Sequence, residues 1–240
     1  MLDPNIEFAK TLLDLYPTFI PTQALYLDLE GSGSGSENIV SFYWPVLPGN
    51  QRFSWIKRSD SSTIEFADLE AHFKTIGAAR AKWIVVYSPG QELPDERVRL
   101  VGLLGQDPFP NSEWINLLYV VQQCKEMTRS ITKHRFVWYG RDRKQVRNSL
   151  EALEWEFGIE RPINIRSHSN RYKDLDGGFG QMEVLATAQR STTGSASDED
   201  ERTLLAYCTA DVKNMFEIAY ASEQLLFPPS QRRERRRNNI

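Results

Sequence analysis

Tyr26 to Val40 reads YLDLEGSGSGSENIV, and Asp28 and Glu30 interrupt its apolar run. Carboxylates in a core strand are costly unless a cation compensates them. Residues two apart on a strand share a face, so Asp28 and Glu30 are expected to project together with Tyr26 while Leu25, Leu27 and Leu29 face the other way. The run ends in Gly31-Ser32-Gly33, where missing side chains let another molecule approach the backbone. A carboxylate pair at a strand end beside a glycine turn suits a hard divalent cation, which takes oxygen ligands. The tripeptide recurs at Asp68-Leu69-Glu70, but Ile64, Phe66, Leu69, Phe73 and Ile76 give that segment helical spacing. Two positions on a helix is about 200° of rotation, so this second pair diverges and is expected at the surface.

A second candidate lies in LLAYCTADVKNMFEIA, where Tyr207 and Asp211 are four apart and share one helical face. Tyr172 and Asp176 have the same spacing, but YKDLDGG runs into glycines and is not expected to be helical.

The elements that must position these residues follow from hydrophobic period and turn chemistry. Residues 6–15 form a leading helix and 24–30 a strand; NIVSFYWPV and QRFSWIKR add two strands around the turn LPGN, an antiparallel meander. The helical segment within 61–80 comes next, then a buried strand in KWIVVYS, a proline-rich passage, and a long helix over EWINLLYVVQQCKEMTRSI. HRFVWYG reads as a strand, RDRKQVRNSLEALEWEFG as an amphipathic helix closed by Gly158, and RPINIRS as a further strand. The polar loop STTGSASDED leads to a last helix from about 200 to 224, with Ser197 and Asp200 at capping-box spacing. This order predicts an α/β domain whose mixed sheet has three antiparallel strands followed by parallel strands, flanked by helices.

The 240 residues are 40% hydrophobic and 25% charged, ordinary for a globular chain with a proper core. No apolar run reaches the length of a membrane span, and the N-terminus lacks the basic start and apolar middle of a signal peptide. Cys124 and Cys208 fit no metal spacing, so a reduced, intracellular and cytoplasmic protein is expected. With three scattered histidines, any metal must be held by oxygen. The formal charge is −3, and residues 231–240 carry five arginines against one glutamate, +4, which leaves −7 on residues 1–230. An acidic body disfavours broad nucleic-acid binding but not an acidic pocket that meets phosphate through metal ions.

Taken together, YLDLEGSG and the distant YCTADV resemble the first and third motifs of the DEDD (DnaQ-like) 3′–5′ exonucleases, in their tyrosine-bearing branch, which have the ribonuclease-H-like fold. The family's Asp-x-Glu on the first strand is often followed by a glycine, as Gly33 stands here, and its Tyr-x-x-x-Asp on the last helix matches Tyr207 and Asp211. The second motif departs from the pattern. Asp142, in FVWYGRDRKQVRNSL, is the candidate at an expected strand-to-helix junction, flanked by Arg141 and Arg143. Glu92, in VVYSPGQELPD, is its rival.

The resemblance implies that Asp28, Glu30, Asp142 and Asp211 hold two Mg²⁺ or Mn²⁺ ions, that Tyr207 positions the attacking water, and that the substrate is the 3′ end of a single-stranded nucleic acid. On this reading residues 1–20 are a leading helical segment, 21–228 the exonuclease domain with a mostly helical insertion at 81–130, and 229–240 a basic disordered tail. Two other readings stay open: a catalytically weak ribonuclease-H-like module that binds nucleic acid or protein, and a structure-selective endonuclease using the same carboxylates.

Overall fold

The computed structural model describes residues 3–30, 39–45, 51–56, 71, 73–75, 77–90, 94–134, 136–139, 142–145, 150–162, 165, 181–192 and 194–238. Helix α1, Pro4–Leu15, opens on Asp3, whose side chain accepts from the Asn5 and Ile6 amides. Strands β1 (Ala24–Glu30), β2 (Ile39–Trp44) and β3 (Gln51–Ile56) then form the expected meander, with β1–β2 and β2–β3 antiparallel. Strand β4 (Trp83–Val86), helix α2 (Asp95–Leu104) and strand β5 (Glu113–Asn116) follow. The five strands lie in the order β3-β2-β1-β4-β5, with β1–β4 and β4–β5 parallel.

Helices α3 (Leu117–Gln123) and α4 (Lys125–His134) lead to a separate two-stranded hairpin, β6 (Phe136–Tyr139) and β7 (Asp142–Gln145). Then come α5 (Leu150–Glu156), α6 (Gln181–Thr192), α7 (Asp198–Leu226) and α8 (Pro229–Asn238). The capping box at the head of α7 is as expected: Ser197 Oγ accepts from the Asp200 amide at 3.1 Å, and Asp200 accepts in return from the Ser197 amide at 3.3 Å.

The alternation of β1 divides the core. Leu25, Leu27 and Leu29 pack with Phe42, Ile84, Leu100 and Phe109 on one face of the sheet. Tyr26 turns to the other face, into a cluster with residues of α1, α3, α4, α5 and α7. There Phe216 of α7 meets the rings of Tyr26 at 5.6 Å and Tyr43 at 5.1 Å, which seats the long helix directly over the β1–β2 pair. β1 and β4 pair only from Ala24–Trp83 to Tyr26–Val85, whereas β1 and β2 stay paired out to Glu30–Ile39. The sheet therefore forks beyond Tyr26, on the β4 side.

Several expectations are corrected. Residues 113–116 do not begin a helix. They pair with β4 as the edge strand β5, and Asn116 then caps α3 by accepting from the Leu118 amide at 3.0 Å. Period alone cannot separate a short buried strand from a helix in the run WINLLYVV. It follows that 81–130 is not an insertion, since it carries β4 and β5 of the main sheet. Where a helix was expected from Arg141, Asp142–Gln145 is a strand, and the described helix spans Leu150–Glu156.

Residues 229–238 are a helix rather than a disordered tail. Arg235 donates to the carbonyls of Pro17 at 3.2 Å and Phe19 at 3.0 Å and lies 4.4 Å over the Phe227 ring, while Arg236 pairs with buried Glu223 at 3.2 Å. No strand occurs among the described residues of 161–167. Asp68, Glu70, Tyr172, Asp176 and Glu92 lie outside the described residues. No helix among those described is long and apolar enough to cross a membrane, and both cysteines are buried free thiols.

Candidate metal centre

Asp28 and Glu30 stand at the carboxyl end of β1, on the face that α7 covers. Asp211 comes down from the middle of α7, where it is 6% exposed, and its neighbours Val212, Met215 and Ile218 bury against the sheet. A ligand oxygen from each of Asp28, Glu30 and Asp211 lies within 4.8 Å of the other two. Residues about 180 positions apart in the chain thus meet at one point. Tyr207, one turn before Asp211 and 7% exposed, packs beside them with Cys208, Leu204 and Ile39. Four of the five expected site residues converge.

The fifth, Asp142, does not stand at the end of a strand of the main sheet. Its backbone opens β7 of the separate hairpin, opposite Tyr139, and its side chain lies outside what is described. The physical reason is the β5 strand. With β4 and β5 both in the main sheet, the connection after β4 reaches the carboxyl ends of the central strands.

That connection supplies a carboxylate that sequence reasoning missed. Glu96, in the first turn of α2, is 6% exposed, and its charge raises the carboxyls of both Asp28 and Glu30. The signal available in the sequence was its place just past a buried apolar strand, the same loop that offered Glu92 as a rival to Asp142.

The electrostatics are those of a site with too few cations. Burial, then Glu96, raises the Asp28 carboxyl to about 7, against the lowering influence of Arg99 and Arg161. Burial lifts Asp211 to about 8, opposed by Arg161 and reinforced by Asp28 and Glu154. Glu30 is raised well above the ordinary range by burial and by the charges of Asp28 and Asp211. Oδ2 of Asp28 and Oε2 of Glu96 are buried and have no hydrogen-bond partner. Such oxygens are expensive to leave unmatched. Together with an all-oxygen donor set, they fit a hard divalent cation.

Two arginines, neither foreseen as part of the site, temper this charge. Arg99 of α2 donates to the Leu29 carbonyl at 2.8 Å, at the fork between β1 and β4. Arg161, 3% exposed, pairs with both Glu154 of α5 and Asp211, and its guanidinium lies 5.4 Å from the centre of the Tyr207 ring. Burial and the charges of Asp211 and Glu30 raise the Tyr207 hydroxyl well above its usual range, so it keeps its proton at neutral pH. No protein-family model matches the chain, and neither does any curated protein or solved structure.

Proposed function

We infer that the chain is a metal-dependent 3′–5′ exonuclease with a ribonuclease-H-like fold, hydrolysing phosphodiester bonds at the 3′ end of single-stranded nucleic acid. The observation that carries this reading is the meeting of Asp28, Glu30 and Asp211 within 4.8 Å. The order β3-β2-β1-β4-β5, three antiparallel strands and then parallel ones with the carboxylates at the end of the central strand, supports the family resemblance.

Asp28, Glu30 and Asp211 would hold Mg²⁺ or Mn²⁺, with Glu96 in place of Asp142 as the fourth carboxylate. Bound there, a divalent ion lowers the pKa of a water and stabilises charge on the phosphate oxygens. The chain's own contribution is to fix the carboxylates on a strand end and a packed helix, and to present the protonated Tyr207 hydroxyl for orienting the attacking water. β1, buried on both faces, and α7, packed across it, supply the rigidity this positioning needs.

A second reading, a catalytically weak module that binds nucleic acid or protein, is favoured by the Arg161 pairing, because a protein cation already holds Asp211. One experiment separates the two. A 5′-labelled single-stranded oligonucleotide, as DNA and as RNA, is incubated with the protein and Mn²⁺. A ladder shortening by single nucleotides, absent with Asp28→Asn, supports the exonuclease. Internal cuts indicate an endonuclease, and intact oligonucleotide at high protein concentration leaves the binding module.

A further inference from the structure

The resemblance implies two divalent ions held by four carboxylates. Here the position beside Asp211 already has a cation. Arg161 donates through Nε to Glu154 at 2.7 Å and through Nη2 to both Glu154 and Asp211. The Glu154 side chain is 0% exposed and that of Arg161 2%, so the guanidinium cannot turn away into solvent. Glu154 grips it from α5 as a two-toothed clamp, a planar geometry an arginine fork matches and a lysine does not. One oxygen of Asp211 is thereby committed to Arg161, and its other oxygen remains for a ligand.

Charge decides the rest. Asp28, Glu30, Glu96, Asp211 and Glu154 offer five negative charges when ionised, and Arg99 and Arg161 return two. One divalent ion leaves that balance at about −1; a second would reverse it to about +1 and sit against a guanidinium in a poorly solvated site, where like charges repel strongly. The unmatched oxygens, Oδ2 of Asp28 and Oε2 of Glu96, belong to residues other than those the Arg161 pairing holds, which is where one ion is wanted.

We propose that Arg161, clamped by Glu154, takes the place of a second metal ion: it is a positioning residue that fixes Asp211 and restricts the centre to one divalent ion. This rests on the metal-centre reading above. It makes the centre a hybrid, with one side served by an exchangeable ion and the other by a cation built into the chain.

Mn²⁺ titration of the full chain, followed by the paramagnetic signal of free Mn²⁺ and by calorimetry, tests this without any activity. The wild type is expected to bind one ion per chain. Arg161→Gln is expected to bind two, the first at least about ten-fold more tightly, and Arg161→Lys, which keeps the charge, to bind one. Glu154→Gln, a milder change, concentrates the arginine on Asp211 and is expected to weaken the single ion about ten-fold. Two ions in the wild type would overturn the proposal and leave the metal centre standing. No Mn²⁺ in either the wild type or Arg161→Gln would remove the metal centre and the proposal together. Variants that lose thermal stability but keep the wild-type ion count and affinity would reduce Arg161 to a structural ion pair.

Discussion

The Asn116 side chain reaches from the end of β5 to Ser88, accepting from its amide at 3.2 Å and donating to its carbonyl at 2.8 Å. The same amide group also donates to the Gly90 carbonyl at 2.7 Å. Ser88 in turn accepts from the Asp95 amide at 3.0 Å, in the first turn of α2. One buried side chain thus fastens the connection that delivers Glu96. Asn116→Ala leaves these backbone groups unmatched and removes the cap of α3, and is expected to cost about 2–3 kcal/mol in urea unfolding. A cost within a few tenths would show that water replaces the amide.

The raised carboxyls set a pH dependence whose sign is fixed. Unfolded aspartates titrate near 4, whereas the folded values are about 7 for Asp28 and about 8 for Asp211. Between those limits the folded chain binds more protons than the unfolded one, so its stability falls as pH rises and levels off above about 8. In EDTA the melting temperature is expected to drop between pH 5 and pH 8, and Mn²⁺ to restore much of it at the alkaline end. A metal-free protein equally stable at both pH values would contradict the electrostatic picture of the site.

Loss of a ligand and loss of the tyrosine hydroxyl should separate cleanly. Asp28→Asn is expected to weaken Mn²⁺ binding by more than about a hundred-fold, beyond what partners of metal ligands usually contribute. Tyr207→Phe keeps the ring over Arg161 and should leave Mn²⁺ affinity alone, while lowering the single-turnover hydrolysis rate about a hundred-fold or more. Should Tyr207→Phe hydrolyse at the wild-type rate, the hydroxyl has no part in orienting water.

Within the terminal helix the arginines divide into anchors and free surface. Arg235→Ala gives up contacts to two carbonyls and the Phe227 ring, and Arg236→Ala strands the buried Glu223 carboxylate. Each is expected to cost about 1–2 kcal/mol, measured by thermal and urea unfolding. Arg233→Ala and Arg237→Ala, at exposed positions, should stay within about 0.5 kcal/mol. Equal effects at all four would mean that the helix is not docked.

These contrasts also mark what the sequence carried. Two-residue alternation told which way Asp28 and Glu30 point, and four-residue spacing put Tyr207 and Asp211 on one side of a helix, because both are local properties of regular backbone. Ser197 and Asp200 were legible for the same reason. The edge strand at 113–116 was not, since EWIN runs without a break into LLYVVQQ and only its pairing with β4 distinguishes it. With that strand missed, the middle carboxylate was sought at Asp142, and Glu96, whose charge acts on Asp28 and Glu30, was passed over. The docked terminal helix was hidden because its contacts are arginine to carbonyl, ring and carboxylate, and leave no hydrophobic period. Arg161 was hidden because its meaning lies in Glu154 and Asp211, the latter 50 positions away.

The fork beside β1 has a consequence for how the protein breathes. From Ala24 to Tyr26 the strand is laced to neighbours on both sides, while from Leu27 onward only β2 holds it within the sheet. Amide protons in the first part should exchange with solvent deuterium only when the whole molecule opens, and those near Leu29 through smaller excursions. The acidic end of the strand is therefore a cantilever: rooted in the most protected part of the fold, yet able to flex by small amounts as something is seated or released.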